Sequence, residues 1–304
     1  MLDLEDRRSL NVLKLKDLLD AVERLMGELV AGPSAANVIR NAPAASAAAY
    51  HLESGGSRMR AQIALNAGLA LGLRPSLVVS LAAAAELLHN ASLIHDDLQD
   101  RDQFRRGLPT VWAKFGDHVG LCVGDVFLSA AFAAVARAGD EAPIAALIEL
   151  VHSTTAIAVH GQCDGFDMAA DACGNVGRYA TMAFAKSGAL LSLPLELALT
   201  AANRLESLPL ARRAAGEFAI GYQIADDLRD YQTDLGDGQQ PPSANIVRIL
   251  EVAEHGVSAC RLASQLGWRH LRTANVLAMH LPSNSGQILA KLSNDLSSQF
   301  ESGF

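Results

Sequence analysis

Two short acidic segments, DDLQD at residues 96–100 and DDLRD at residues 226–230, contain the side chains most suited to chemistry. Within each segment an aspartate recurs after four positions, and residues at that spacing lie on one face of a helix. Carboxylate oxygens suit a hard cation, and Mg²⁺ in proteins usually binds one or two carboxylates together with phosphate oxygens. The pattern therefore predicts several Mg²⁺ ions that hold a diphosphate between the two segments.

For either segment alone, the alternative is an ordinary solvated helix end. Negative charge in a C-terminal turn is unfavourable to the helix dipole. Carboxylates this close also raise one another's pKa unless a cation neutralises them. Because the same pattern occurs twice, we favour the interpretation as cation sites.

Cationic side chains flank the first segment. Arg105 and Arg106 follow it, and a guanidinium binds phosphate bidentately and stays charged. Upstream, SGGSRMR at residues 54–60 places two glycines before Arg58 and Arg60, where backbone and side chain can both approach a phosphate. Taken alone, this upstream stretch is explained equally well by a simple turn.

Helices must position these residues. The chain is 50% hydrophobic and only 5% aromatic, with Ala, Leu and Ile dominant, and its apolar residues recur at helical spacing. Predicted helices cover residues 10–30, 59–71, 75–99, 117–137, 143–160, 176–200, 207–232, 243–265 and 284–300, with turn-forming breaks at 32–34, 54–57, 106–109 and 236–243. We predict one all-α domain over residues 1–304, a large helical bundle with fully buried helices.

Composition excludes several classes of protein. The net charge of −8 without a basic tract argues against nucleic acid as a partner, and the charged N-terminal residues differ from a signal or transit peptide. The longest apolar run, near Val126–Ala136, is shorter than the about 20 residues of a spanning helix, so we expect no transmembrane segment. Cys122, Cys163, Cys173 and Cys260 lack CxxC spacing and are interpreted as reduced core thiols of a cytoplasmic protein.

Together these residues resemble the trans-isoprenyl diphosphate synthases, or polyprenyl synthetases, of the farnesyl and geranylgeranyl diphosphate synthase type. HDDLQD followed by RRGLPT, residues 95–110, looks like the family's first aspartate-rich motif, and GYQIADDLRD, residues 221–230, looks like the second. The helix ELLHNASLIHDD also matches. Other motifs fall between them in the family's order: GD at 124–125, GQ at 161–162 and KSG at 186–188. The resemblance implies a homodimer, each chain a bundle of about a dozen helices around a central cavity, the isoprenoid synthase fold.

The resemblance also implies an activity, a Mg²⁺-dependent prenyltransferase that condenses isopentenyl diphosphate with an allylic diphosphate through a carbocation. Several Mg²⁺ ions, with three expected, would be held by Asp96, Asp97, Asp100, Asp226, Asp227 and Asp230. All of these but Asp230 are also assigned to catalysis, as is Lys186. The allylic diphosphate would be bound by Arg105 and Lys186, with Ser187 and Gln223 nearby. Isopentenyl diphosphate would be bound by Arg60, His89 and Arg106, with Ser57 at the position of a family lysine.

The chain departs from the family where further charges are expected. Ser57 replaces the lysine of the family's GGKR stretch, and Gly165 stands where an acidic residue commonly follows GQ. The family has lysines after its second motif, but here no lysine follows Lys186 until Lys291. Each lost charged contact would cost about 1–3 kcal/mol of binding.

Arg58 and Arg248 are candidates to compensate for these losses. Three alternatives to an ordinary synthase remain open: a synthase with an altered substrate or reaction, a terpene cyclase-like ionising enzyme, and a non-catalytic regulatory subunit. Terpene cyclases usually mix Asn, Ser or Thr, and Glu in their second motif, and regulatory subunits tend to lose the aspartates. DDLRD and RRG therefore favour a synthase.

Ala91 and Ser92, one helical turn before Asp96, are implied to form the floor of the product cavity. In the family, the growing chain runs down this helix, and bulky side chains at these positions stop it early. Two small side chains, and a first motif without the two-residue insertion of many short-chain enzymes, favour a product of twenty carbons or more. In the alternative, Phe127 or Phe132 closes the cavity deeper in the bundle.

Overall fold

The computed structural model describes residues 4–32, 43–168, 176–236, 245–253 and 258–302, and these are almost entirely helical. Contacts divide the chain into two compact units. The first unit is Met1–Val151 with Thr200–Ala202, and the second is His152–Leu199 with Asn203–Phe304. The prediction of a single domain over residues 1–304 stays a prediction.

The first unit is built around one buried helix. Its helices are α1 (Leu4–Ala31), α2 (Pro43–Glu53), α3 (Met59–Ala70), α4 (Pro75–Asp100), α5 (Val111–Phe115), α6 (Asp117–Ala136) and the start of α7 (Ile144–Met168). Helix α4 contacts α1, α3 and α6. Four consecutive residues, Ala82 to Ala85, are fully buried, which requires a helix that is covered on every side. Pro75 begins α4, where its missing N–H costs nothing.

A short hairpin follows α4. Arg101 ends the helix in the left-handed region at φ 60°, and two strands follow, β1 (Phe104–Arg105) and β2 (Leu108–Pro109). They pair antiparallel, with Arg105 opposite Leu108. The turn residues Arg106 and Gly107 have φ values of 54° and 77°, and two consecutive positive φ angles are those of a type I′ turn.

The second unit contains the remaining elements. They are the rest of α7, α8 (Val176–Ala183), a π-helical turn (Phe184–Gly188), α9 (Ala189–Ala201), α10 (Leu208–Gly236), α11 (Ile246–Ala253), α12 (Ala259–Met279), α13 (Gln287–Ser302) and two short 3₁₀ turns, Leu205–Ser207 and Pro282–Asn284. Helix α12 packs on both α10 and α13. Small residues allow this approach: a Cβ on Gly221 would lie 2.6 Å from Leu271 Cγ, and one on Gly267 would lie 2.5 Å from Phe300 Cζ.

The all-α prediction is confirmed, and most predicted helices lie within a few residues of those observed. The single helix predicted over residues 243–265 is wrong, because α11 ends at Ala253 and α12 begins at Ala259. The predictions omitted α2, α5, the hairpin and the greater part of α12, since no helix was predicted between residues 265 and 284. Helix α2, with the sequence PAASAAAYHLE, has alanine on several faces, so its apolar residues show no clear period.

Within the described residues, four helical segments are long and apolar enough to cross a membrane by length and composition alone, so a short longest apolar run does not exclude a spanning helix. In two of them, Pro75–Asp100 and Val176–Ala201, 78% and 72% of the apolar window is buried inside the protein. In Asp117–Ala136 and Ile144–Cys163 the buried share is 44% and 22%. The expected absence of a transmembrane segment therefore stays a prediction.

The cysteines differ in part from expectation. Cys122, Cys163 and Cys260 are free thiols, as predicted, but Cys122 and Cys163 are exposed rather than in the core. Both lie on exposed faces of their helices. Cys173 lies outside the described residues.

Candidate active site

The first aspartate cluster forms the last turn of α4 in the first unit. Asp96 and Asp100 share the i, i+4 face and are half-buried and exposed, respectively. Asp97 lies off this face and is only 2% exposed. The cluster thus presents two outer carboxylates on one face and buries the central one.

Asp97 is held by Arg105 of the hairpin. Arg105 Nε donates to Asp97 Oδ1 over 2.7 Å, and Nη2 lies 2.5 Å from the same oxygen. Burial raises the pKa of Asp97, and the Arg105 guanidinium opposes that rise. Burial would lower the pKa of Arg105, but the hydrogen bond and charge of Asp97 outweigh it and raise that pKa. The pair therefore fixes the hairpin against the end of α4.

Arg106 extends from the tip of the hairpin to the glycines before α3. Its Nη1 donates to the carbonyl of Gly55, and a Cβ on Gly56 would lie 2.8 Å from both terminal guanidinium nitrogens, Nη1 and Nη2. Burial, then the charges of Arg58 and Arg105, lowers the pKa of Arg106. The hairpin thus separates the two arginines, since Arg105 turns to the aspartates and Arg106 to the SGGSRMR stretch.

Further contacts anchor the hairpin at its base. Tyr50 Oη donates to the carbonyl of Pro109 over 2.7 Å. Thr110 Oγ1 and Trp112 Nε1 both donate to the carbonyl of Asp102, over 2.7 and 2.9 Å. The Arg101 guanidinium lies 5.1 Å from the centre of the Trp112 ring, within cation–π range. The RRG segment is therefore held at both ends.

The three residues predicted to bind isopentenyl diphosphate interact electrostatically, because the charges of Arg60 and Arg106 both act on His89. Burial lowers the pKa of His89 well below its ordinary value, and the charges of Arg60 and Arg106 lower it further. His89 is therefore a neutral hydrogen-bonding group rather than a cation. Its buried Nδ1 has no hydrogen-bond partner among the residues that the structure describes. Glu86 accepts the N–H of Ala61 over 3.0 Å, which ties the start of α3 to α4.

Arg58, one of the two candidates to compensate for the missing lysines, pairs with an acidic side chain of α1 in this structure. Its Nε and Nη2 donate to the two carboxylate oxygens of Glu23, and Nη2 also donates to the carbonyl of Leu52 over 3.1 Å. Arg58 thus fastens the turn before α3 to α1. Ser57, by contrast, is exposed.

The GD motif makes room for the histidine of HDD. A Cβ on Gly124 would overlap the ring of His95, and Asp125 Oδ1 lies 3.6 Å from His95 Nε2. The two motifs are therefore a single packing contact between α4 and α6.

The predicted cavity floor is well packed. Ala91 is 3% exposed, and Ser92 Oγ donates to the carbonyl of His89 over 2.8 Å. Phe127 is fully buried with its ring edge-on to His51. The role of Ala91 and Ser92 in product length stays a prediction.

The second aspartate cluster lies in α10 of the second unit and repeats the burial pattern of the first. Asp226 is half-buried and Asp230 exposed, whereas Asp227 is 8% exposed. Burial raises the pKa of Asp226 to about 6, although the charge of Arg229 opposes the rise. Two outer carboxylates again share one face.

Asp227 is fully engaged by neighbouring groups. Its Oδ1 accepts from Gln223 Nε2 over 2.9 Å, and its Oδ2 accepts from Tyr179 Oη over 2.9 Å and from the N–H of Ile246 over 2.8 Å. Asn245 Nδ2 donates to the Asp227 carbonyl over 2.8 Å. Burial raises the pKa of Asp227, and these hydrogen bonds oppose the rise. Gln223 thus positions Asp227, a more specific role than nearness to the diphosphate.

The reasoning from sequence missed Tyr179 and Asn245. Burial, with the charge and hydrogen bond of Asp227, raises the pKa of Tyr179 far above its ordinary value, so it is a permanent donor. Asn245 Oδ1 also accepts from the N–H of Val247 over 2.9 Å, as helix-capping asparagines do. An asparagine directly before the apolar run of α11 was the available signal.

Lys186 and Ser187 lie in the π-helical turn between α8 and α9, both half-buried. Single π turns inside helices are frequent at functional sites. The GQ motif packs against this turn, because a Cβ on Gly161 would lie 2.6 Å from Ala185 Cβ and 3.0 Å from Lys186 N. The surroundings of Gly165 and the residues of GDGQQPPS from 237 onward lie outside what the structure describes.

The carboxylates of the two clusters suit Mg²⁺ only in part. Within the described residues, no group of three or more His, Cys, Asp or Glu side chains is close enough to hold a metal. Each cluster instead offers two outer carboxylates on one face, and Mg²⁺ completes such a set with water and phosphate oxygens. The residues therefore fit Mg²⁺ that arrives with a phosphorylated ligand.

Comparison with known proteins gives a consistent result. Residues 42–240 match the family model described as polyprenyl synthetase. A geranylgeranyl diphosphate synthase from Cereibacter sphaeroides is 34% identical over 235 residues, which cover 73% of this chain and 78% of that protein. A geranylgeranyl pyrophosphate synthase from Geoglobus acetivorans is 32% identical over 189 residues, 60% of this chain but 58% of that protein. The match to a short chain isoprenyl diphosphate synthase from Methanothermobacter thermautotrophicus, 30% identical over 203 residues and 66% of this chain, spans 62% of that protein.

Solved structures show the same fold. A decaprenyl diphosphate synthase from Rhodobacter capsulatus superimposes with a TM-score of 0.80 at 21% identity, covering 94% of this chain and 97% of that one. A polyprenyl synthase from Caulobacter crescentus CB15, complexed with calcium and isoprenyl diphosphate, gives 0.79 at 20% identity, covering 95% and 96%. The isoprenoid synthase fold is thereby confirmed, and the family match over residues 42–240 shows that this chain belongs to the polyprenyl synthetase family.

Proposed function

We propose that this protein is a trans-prenyltransferase that condenses isopentenyl diphosphate with an allylic diphosphate. The observation that supports this most directly is the shared design of the two aspartate clusters. Each cluster places its outer carboxylates on one helical face and holds its buried central one, Asp97 or Asp227, by hydrogen bonds. One DDxxD segment is easily a solvated helix end, but two with the same division of roles are best explained by a common ligand.

The outer carboxylates, Asp96 and Asp100 with Asp226 and Asp230, would hold Mg²⁺ against the allylic diphosphate. When bound, Mg²⁺ neutralises diphosphate charge and so makes it a better leaving group. We assign the central aspartates a positioning role in place of direct metal binding, because both are buried, at 2% and 8% exposed, and lie off the helical face that the outer carboxylates share.

Arg105 and Lys186 would neutralise the leaving diphosphate. Arg105 uses its Nε and Nη2 on Asp97, and a guanidinium has five N–H donors, so its Nη1 edge can still donate to a phosphate. Such fixed donors stabilise charge as it develops on the departing oxygens. Ser187 adjoins Lys186 and would donate a further hydrogen bond.

Arg60, His89 and Arg106 would bind isopentenyl diphosphate. The allylic C–O bond breaks and its electron pair leaves with pyrophosphate. The isopentenyl double bond then supplies the electrons for the new C–C bond, and loss of a proton to the pyrophosphate forms the new double bond. No protein nucleophile is required, and this chain needs only to bind, orient and exclude water.

We infer that the protein acts as a cytoplasmic homodimer. Helix α6 supports the inference about assembly, because its residues are strongly apolar yet Leu121 is 52% exposed. A second copy would cover this face.

The proposal is tested by incubating the protein with Mg²⁺, isopentenyl diphosphate and each allylic diphosphate in turn, followed by product analysis. A longer prenyl diphosphate is expected, and excess chelator or Asp226→Ala should abolish it while the thermal melt is retained. Asp295→Ala, an exposed aspartate of α13, is the matched control and should keep full activity. A cyclised product, or no product from any primer, would instead identify a cyclase or a non-catalytic protein.

A further inference from the structure

Arg229, the fourth residue of DDLRD, lies within the second cluster and contacts one of its outer carboxylates. Its Nη1 donates to Asp226 Oδ1 over 2.5 Å, and its Nη2 donates to Gln299 Oε1 of α13 over 3.1 Å. The side chains of Arg229 and Asp226 are 44% and 35% exposed. The Arg229 guanidinium is therefore hydrogen-bonded to two side chains, and one of them is a carboxylate that the proposed function assigns to Mg²⁺.

Arg248, the other arginine considered as a replacement for the missing lysines, pairs with a residue outside the second cluster. Arg248 Nη1 donates to Glu251 Oε2 over 2.8 Å within α11, in an ordinary i, i+3 helix pair. Arg229 forms a pair of the same spacing, but its partner is a site carboxylate rather than a surface glutamate. The chemistry of the partner is what separates the two arginines.

Asp226 cannot keep both partners at full strength. A metal ion on its carboxylate brings a second positive charge next to the guanidinium, and like charges this close repel. The guanidinium then needs another anion, and a diphosphate beside the cluster supplies acceptor oxygens in the spacing that arginine binds bidentately. Gln299 retains the other edge of the side chain and so limits how far it moves.

We propose that Arg229 is a diphosphate-binding residue, which pairs with Asp226 in the ligand-free protein and transfers to the allylic diphosphate when Asp226 binds Mg²⁺. The inference rests on the proposed function and adds a binding group to it. In this role Arg229 supplies a positive charge in a region where the chain has no lysine between Lys186 and Lys291.

The test is calorimetric and uses the full-length protein. Binding of Mn²⁺ alone, and of inorganic pyrophosphate in saturating Mn²⁺, is measured for wild type, Arg229→Ala, Arg229→Gln and Arg248→Ala. The last is a matched control, since the side chains of Arg248 and Glu251 are 42% and 33% exposed. Arg229→Gln retains the length and a polar end without the charge, so it reports on charge even if the alanine variant folds poorly.

Both Arg229 variants should bind pyrophosphate about tenfold more weakly, the value of one charged hydrogen bond, while binding Mn²⁺ alone as tightly as wild type or tighter. Arg248→Ala should match wild type in both titrations. Weaker binding of Mn²⁺ alone by the Arg229 variants, or pyrophosphate affinity within twofold of wild type, would overturn the inference. If the wild-type protein forms no prenyl product but the Arg229 variants still bind pyrophosphate more weakly, only the proposed function is refuted. A wild type that forms product, with Arg229 variants that bind pyrophosphate normally, would refute the inference only.

Discussion

Substitution of Gly161 by alanine should destabilise the protein and displace Lys186. The added Cβ would lie 2.6 Å from Ala185 Cβ, 2.8 Å from the Ala185 carbonyl carbon and 3.0 Å from Lys186 N. Two of these neighbours are backbone atoms of the π-helical turn, so the turn itself must move. Overpacking of this kind costs about 1–3 kcal/mol, and the higher helix propensity of alanine returns about 1 kcal/mol. We therefore expect a net loss of roughly 2 kcal/mol, taking the upper cost because backbone is involved.

Two other glycines provide controls for this calculation. A Cβ on Gly27 in α1 has no atom within 4 Å, so Gly27→Ala should stabilise the protein by up to about 1 kcal/mol. The three atoms nearest to a Cβ on Gly124 all belong to the ring of His95, a side chain that can rotate away. The stability of Gly124→Ala should therefore lie between those of Gly27→Ala and Gly161→Ala, although its Cβ would lie closest to a neighbouring atom.

Urea and thermal melts of the three variants give the order of stability, and initial rates with varied allylic diphosphate give the effect on Lys186. Gly161→Ala should melt about 3 °C below wild type, since the unfolding entropy of a chain of this length is large. It should also lose about tenfold in kcat/KM, since misplacing a binding group by less than 1 Å is costly. If Gly161→Ala matches Gly27→Ala in stability, the close packing of GQ on the π turn is refuted.

Two further predictions concern buried residues of the first unit. Burial first, and then the charges of nearby arginines, lowers the pKa of His51 from 6.5 to about 4, so the unfolded chain takes up a proton as pH falls below 6.5 while the folded protein does not. Stability is therefore complete above pH 6.5 and declines toward pH 4 by about 3 kcal/mol. His51→Gln should show a smaller loss between urea melts at pH 7 and pH 5, and an equal loss would exclude His51 as the cause. Separately, wild type primed with farnesyl diphosphate should yield a longer product, which Ala91→Phe should shorten; indifference to phenylalanine would show that Ala91 is not the cavity floor.

The sequence predicted most of the helices and both acidic faces, because these depend on local spacing. The i, i+4 relation of Asp96 to Asp100, and of Asp226 to Asp230, follows from helix geometry alone. Sequence could not show which aspartates are locked, since the partners of Asp227 include Tyr179 and the N–H of Ile246 from other helices. The same limit applies to Arg58, which was grouped with the phosphate ligands by its neighbours in sequence. Its actual partner, Glu23, lies in α1.

The hairpin illustrates why the RRG motif needs its glycine and its two arginines in that order. A type I′ turn requires positive φ at both central positions, which Gly107 adopts without strain and Arg106 adopts at φ 54°. The strained residue is the one whose guanidinium reaches Gly55, and strain of about 1–3 kcal/mol persists only where surrounding contacts determine the conformation. Arg105, still in the strand, faces Asp97 instead. The turn thus directs two adjacent cations to different partners.

The glycines of the short motifs connect segments that are distant in the chain. Gly56 accommodates the guanidinium of Arg106, Gly124 accommodates the ring of His95, and Gly161 accommodates the backbone of the Lys186 turn. In each case the residue that needs the space belongs to a motif with a proposed role in binding, and any side chain at the glycine would displace it. This explains in physical terms why motifs that look like isolated dipeptides occur together. In each case the glycine of one motif packs directly against a residue of another motif. A side chain added at the glycine must therefore alter the position of a charged or polar group in the second motif.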